Sequence, residues 1–172
     1  MEFVRYIFLI LILTCSTSIG WILSKGFQER LKELIYLDKI INIIQNKIKF
    51  TGKPLKLIFE EVSKIDKTSP ITKIFKDIST NLTNMKIEES IEIAINNNKK
   101  YLSLKVEDIN LIKSLGTILG KTDIEGQMSE INEFKILLKK QIEDAEVEQS
   151  KNSKMYKSLG TILGLVIVIL LF

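Results

Sequence analysis

Histidine is absent from this chain of 172 residues, and cysteine and tryptophan each occur once and proline twice. Without histidine, the commonest general acid or base at neutral pH and the commonest metal ligand are both missing. Cys15 stands alone inside an apolar run, so no intrachain disulfide can form. Nor is there a glycine-rich phosphate loop ending in Lys-Ser or Lys-Thr, a Gly-x-Ser-x-Gly turn or a cluster with metal-ligand spacing. The paired carboxylates Glu60-Glu61 and Glu88-Glu89 are sequence neighbours, which do not share a helix face, and they read as solvated surface. Together these absences point away from an enzyme, a cofactor and a small-molecule substrate. Lys plus Arg number 25 against 21 Asp plus Glu, for a net charge of +4. The signs alternate along the middle of the chain without a long block of either, so no nucleic-acid partner is implied.

What is present is an apolar run at each end. Val4 to Leu23 carries one charge, Arg5, and Leu159 to Phe172 carries none. A spanning helix needs ~20 apolar residues to cross a ~30 Å hydrocarbon core. The first run meets that length. The second gives ~21 Å at 1.5 Å per residue. Extending it back to Tyr156 gives ~25 Å, with the tyrosine at the interface and Lys157 snorkelling. For the first run, Ser16-Thr17-Ser18 is a loose candidate cleavage site and Cys15 a candidate lipidation site. An n-region whose only basic residue is Arg5, Thr14 before Cys15, and the return of apolar residues at Ile19–Leu23 favour a retained anchor. Lys25, Arg30 and Lys32 follow the first run, and Lys151, Lys154 and Lys157 precede the second. The positive-inside rule therefore predicts a cytoplasmic body, with both termini on the opposite face. The expected division is an N-terminal anchor over 1–24, a cytoplasmic helical domain over 25–157 and a C-terminal anchor over 158–172.

Once the anchors are set aside, about 130 residues remain, enough for a modest core. Their apolar spacing is 3 or 4 throughout, and no segment sustains the period of 2 that a strand requires. Leu31, Leu34, Asp38, Ile41, Ile44 and Ile48 mark one face of a helix running on from the first anchor. Leu55, Ile58, Phe59, Val62 and Ile65 mark the next, and Ile71, Ile74, Phe75, Ile78 and Leu82 the third. Pro54 and Pro70 both read as first-turn residues, the latter behind Ser69 as N-cap. A fourth helix is expected over Ile87–Ile95 and a fifth over about Lys105–Leu119, stopped by Gly120. Thr122-Asp-Ile-Glu125 has the form of a capping box. It opens a long helix that carries Met128, Ile131, Phe134, Leu138, Ile142 and Ala145 into the second anchor. The expected fold is an all-α bundle of about six helices, the first and last continuous with transmembrane helices.

The octapeptide Lys-Ser-Leu-Gly-Thr-Ile-Leu-Gly occurs twice, at Lys113–Gly120 in the body and at Lys157–Gly164 in the second anchor. Each copy contains Gly-x-x-x-Gly, which leaves one helix face bare for close approach. Gly160 and Gly164 could pack on Ser16 and Gly20 of the first anchor; the alternative is that membrane helices are simply rich in glycine. In the first copy, Gly116 and Gly120 serve either core packing and a helix stop or a partner. Glu143, Asp144, Glu146 and Glu148 form an acidic stripe, either a solvated helix face or a contact for a basic partner.

Thr51-Gly-Lys-Pro-Leu55, the string Leu115-Gly-x-x-Leu-Gly-x-x-Asp123 and a C-terminal Leu-Gly-x-x-x-Gly anchor follow a short N-terminal anchor. In that order, over essentially the whole chain, they resemble the stage III sporulation protein AB family. The resemblance implies a membrane protein of endospore-forming bacteria, part of an assembly connecting mother cell and forespore during engulfment. It implies a helical domain similar to the cytoplasmic domains of the type II secretion platform protein. It also implies a platform role that docks a secretion-type ATPase and other channel subunits at the mother-cell membrane. Leu115, Gly116, Leu119, Gly120 and Asp123 match the family string, for which the expected role is packing and capping. Two further readings are a self-associating membrane scaffold without an ATPase and a helical pore-forming toxin.

Overall fold

The computed structural model describes residues 2–120 and 123–171, and all of its long elements are helices. In chain order they are α1 (Glu2–Thr51), α2 (Leu55–Ser63), α3 (Pro70–Asn81), α4 (Ile87–Asn98), α5 (Val106–Ile118) and α6 (Ile124–Leu171), with a 3₁₀ turn at Lys99–Tyr101. They form two compact units. A stem comprises residues 1–31 and 144–172, and a body comprises residues 32–143.

In the body, the 50-residue α1 contributes Leu34, Leu37, Ile41, Ile44 and Ile48, all buried. The spacing 3, 4, 3, 4 is the seam of a packed helix. Ile40, fully buried beside that seam, widens the buried face. The face is thus rotated from the one expected around Leu31 and Asp38, both of which are only half-buried. Asp38 sits at its margin, where its carboxylate and carbonyl accept from the Asn42 amide at 3.0 and 2.8 Å.

Gly52 leaves α1 with φ +59°, a left-handed conformation that favours glycine. Pro54 is the N-cap of α2 rather than its first helical residue, and its carbonyl accepts from the Leu57 and Ile58 amides. Ile58, Phe59 and Val62 are then buried, but α2 ends at Ser63 and leaves Ile65, expected on the same face, exposed. Pro70 does occupy the first turn of α3, behind Ser69, whose hydroxyl accepts from the Ile71 amide. Phe59 and Phe75 meet in the core with ring centroids 5.6 Å apart. Helix α4 runs one turn further than its apolar pattern because Asn98 is buried and satisfied. Its amide donates to Asp77 at 2.7 Å and to the Ala94 carbonyl at 2.9 Å.

The turn from α1 to α2 is pinned by one carboxylate. Glu61 accepts from Lys47 at 2.5 Å and Lys53 at 2.6 Å. Those two charge-assisted hydrogen bonds hold its carboxyl down from 4.5 to about 2. A depressed carboxyl contributes stability above its unfolded value and loses it as pH falls through its folded value. Acid should therefore remove this contribution between about pH 4.5 and pH 2. Glu61→Gln is expected to flatten the melting temperature across that window relative to the parent, which a thermal-melt series against pH checks.

Candidate functional site

The described residues contain no group of three or more acidic, cysteine or histidine side chains able to hold a metal ion. The functional candidates are therefore surfaces and packing motifs; each lies in one of the two units except the acidic stripe on α6, which begins at Glu143 in the body and continues into the stem.

In the stem, α1 and α6 pair antiparallel. The Ser16 hydroxyl donates to the Gly160 carbonyl at 2.7 Å. The Ser24 and Ser153 hydroxyls share a hydrogen bond of 2.6 Å, buried between the helices. Arg30, almost fully buried, pairs with Glu148 at 2.8 Å. A methyl group placed on Gly20 would lie 2.6 Å from the Tyr156 carbonyl oxygen and 3.0 Å from the Gly160 Cα. One on Gly160 would lie 2.9 Å from both the Gly20 Cα and the Ser16 carbonyl oxygen, and one on Gly164 would press on Leu13 and Ser16. Ser16, Gly20, Gly160 and Gly164 are thus brought together, and at Gly20 and Gly160 the backbones approach closely enough to leave no room for a side chain.

The outer surface of the stem is the reverse of a soluble protein's. Small and polar residues face inward, while Ile10, Ile22, Ile169 and Leu170 are all more than 60 % exposed. One end of the apolar zone is marked by aromatic rings. Phe27 stacks on Tyr156 at 5.7 Å, and the Lys157 ammonium lies 5.9 Å from the Trp21 ring. Aromatic rings and a snorkelling lysine are what a bilayer interface selects. Both α1 and α6 contain a window long and apolar enough to cross a membrane.

In the body, the family string is divided between packing and turning. Gly116, on α5, faces α4, and a methyl group there would lie 2.9 Å from the Glu88 Cα. Leu115 and Leu119 are buried in the core. Gly120 follows the helix with φ +87° and lies against Leu55. The two strings Gly-Lys-Pro-Leu55 and Leu-Gly-x-x-Leu-Gly120 therefore touch. Thr122 lies outside the described residues, but Asp123 is the N-cap of α6, its carboxylate accepting from the Gly126 amide at 3.0 Å. Gly116→Ala is expected to lower the stability of the body by ~1–3 kcal/mol, because the added carbon meets backbone rather than a movable side chain. The ~1 kcal/mol that alanine gains over glycine in a helix does not offset the strain. Hydrogen-exchange protection of α4 and α5 measures the difference.

The acidic stripe is split by the fold. Glu148 is taken by Arg30. Glu143, Asp144 and Glu146 are exposed, with no partner among the described residues. Periodicity missed the roles of Ser24, Ser153 and Arg30, because their partners lie more than a hundred residues away in sequence. An ionisable residue next to an apolar run was the one available signal, and Arg30 carried it.

A helix pair with an apolar outer surface, long enough to cross a membrane, continuing from a helical bundle is the pattern of a small all-α membrane protein. A sequence profile described as stage III sporulation protein AB matches residues 5–172. The chain belongs to that family and is a sporulation membrane protein. It is 28% identical over 166 residues to the stage III sporulation protein AB of Bacillus subtilis (strain 168), covering 94% of this chain and 95% of that one. A solved structure of stage III sporulation protein AB (SpoIIIAB) matches with a TM-score of 0.66 at 22% identity. The match covers 72% of this chain and 98% of the other, and shows the shared fold.

Proposed function

We propose that this chain is a non-enzymatic platform subunit of a secretion-like channel between mother cell and forespore. Its body lies in the mother-cell cytoplasm, where it docks a secretion-type ATPase and other channel subunits. The observation that carries this reading is a helical body whose first and last helices both continue into a membrane-type stem, in a chain of a sporulation family. Such a body is held at both ends and suits the transmission of position or force to a membrane complex. Lysines on the inner flanks of both anchors support the cytoplasmic orientation. Anchors over 1–24 and 158–172, bracketing a domain over 25–157, agree in level with the Trp21, Tyr156 and Lys157 cluster. In this reading Ser16, Gly20, Gly160 and Gly164 lock the anchors together. Gly116, Gly120 and Asp123 shape the body rather than contact a partner.

Two experiments test the proposal. Purification of the tagged chain from sporulating cells should bring down an ATPase and further small membrane subunits. Deletion of the gene should arrest sporulation after engulfment has begun. Normal spore numbers in the deletion strain would rule the reading out. A C-terminal reporter that scored cytoplasmic would overturn the orientation alone.

A further inference from the structure

The packing of α2 on α3 creates a basic groove that the linear sequence conceals. It encloses about 890 Å³ and is edged by Lys56, Lys64, Lys67, Lys73 and Lys76. Two carboxylates share the groove, but both are engaged: Glu60 by Lys64 at 2.7 Å, and Asp77 by the buried Asn98 amide at 2.7 Å. Lys56 also lies near the Glu60 carboxylate, whereas Lys67, Lys73 and Lys76 have no carboxylate partner among the described residues; Lys73 rests near the Tyr101 ring, at 5.7 Å. The groove thus sets five ammonium groups against two carboxylates, around a floor that includes the Thr72 and Ser79 hydroxyls. The same chain carries the opposite feature. Glu143, Asp144 and Glu146 form an exposed, unpaired acidic ridge on α6, with exposed Val147 beside it.

We propose that the α2–α3 groove of one copy receives the Glu143–Glu146 ridge of a second copy, a contact between chains in the membrane. Every chain then offers one groove and one ridge, so two copies can satisfy both contacts reciprocally as a pair, or more copies can do so as a ring or a row. Shape favours a helix ridge over a bilayer, because the site is concave and lipid headgroups present a flat surface. Charge favours it over nucleic acid, because Glu60 and Asp77 in the groove repel phosphates. A helix with Lys139 and Lys140 one turn before its carboxylates can face both signs. Exposed ion pairs are individually weak. Confinement of the copies to one membrane raises their effective concentration enough for several such pairs to fix a register. The contact is independent of ATPase docking, so either can fail without the other.

The test uses the full-length chain in detergent micelles. An equal mixture of isotopically light and heavy chains is treated with a zero-length carbodiimide, which joins only amines and carboxylates in direct contact. Mixed-isotope cross-links between Lys73 or Lys76 and Glu143 or Glu146 are expected. Sedimentation should show self-association that weakens as salt rises through the range where the Debye length contracts. The pair Lys73→Glu with Lys76→Glu should weaken self-association by roughly tenfold or more, and so should Glu143→Lys with Glu146→Lys. Mixing the two reversed proteins should restore it, which no loss of folding can mimic. All four residues are exposed, and circular dichroism verifies that the variants stay helical. The proposal is overturned if the chain stays monomeric at every concentration or if ridge reversal leaves self-association intact. It is equally overturned if groove reversal affects only binding to phosphatidylglycerol vesicles, which would give the groove to the membrane.

Discussion

Gly160→Leu should separate the two halves of the stem. The hydrogen bond from Ser16 to the Gly160 carbonyl and the approach of Gly20 to Gly160 both depend on bare backbone at this point. Nothing around the site can yield cheaply, since the atoms nearest a new Cβ are the Gly20 Cα and the Ser16 carbonyl oxygen. In water, burial of the leucine would partly compensate. In lipid it does not, because hydrocarbon solvates leucine as well as a helix interface does. Overpacking of this kind costs ~1–3 kcal/mol, which shifts a pairing equilibrium by about five- to hundredfold. The readout is a disulfide between Ser24→Cys and Ser153→Cys, introduced where the two hydroxyls stand 2.6 Å apart, in a background with Cys15→Ser. Rapid oxidation is expected with Gly160 intact and a severalfold slower reaction with leucine. Equal rates in the two proteins would show that the helices do not rely on this contact.

Phe59→Ala is expected to produce the largest loss in the body. Phe59 has no exposed surface, and its ring packs on Phe75, itself 1 % exposed. Truncating a buried phenylalanine removes its transfer free energy and leaves a cavity, together costing ~3–5 kcal/mol. Domains of this size are stable by only ~5–15 kcal/mol, so about a fifth or more of the total would go. The only tryptophan lies in the stem, and its fluorescence would not report on the body. Amide exchange does, and protection in α2 and α3 should fall by about two to three orders of magnitude while that of the stem helices stays the same. A loss below tenfold would mean that α2 and α3 are not part of the cooperative core.

The helices themselves were legible because their information is local. A spacing of 3 and 4, a proline behind a serine and a glycine after a leucine fix where α3 begins and where α5 stops. The same local reading placed the buried face of α1 around Leu31 and Asp38 and so missed Leu37 and Ile40. Its error is one of rotation, since neighbouring stripes of isoleucine are nearly equivalent until other helices select one. The octapeptide shows the limit more sharply. In α5 its first glycine approaches Glu88 and its second turns the chain; in α6 the first lies against Ser16 and Gly20 and the second against Leu13 and Ser16. Identical residues serve different ends because the partner surface decides the role. The basic groove was hidden for a related reason. Its lysines alternate with acids along the chain, which reads as a solvated surface, and only the packing of α2 on α3 gathers them. The Ser24–Ser153 and Arg30–Glu148 pairs depend on long-range register, which no periodicity within one segment contains.

The stem bonds join residues 118 to 144 positions apart in sequence. Closing so long a loop from an unfolded chain carries a large entropic cost, growing with the logarithm of its length. The folded body, which holds both Lys32 and Glu143 within one compact unit, removes most of that cost before the helices meet. The arrangement also works in reverse as protection against cleavage. A protease that nicks the exposed turn between α2 and α3 would cut the backbone, yet the fragments would stay joined through the stem by their buried serines, the Arg30–Glu148 pair and the interlocked glycines.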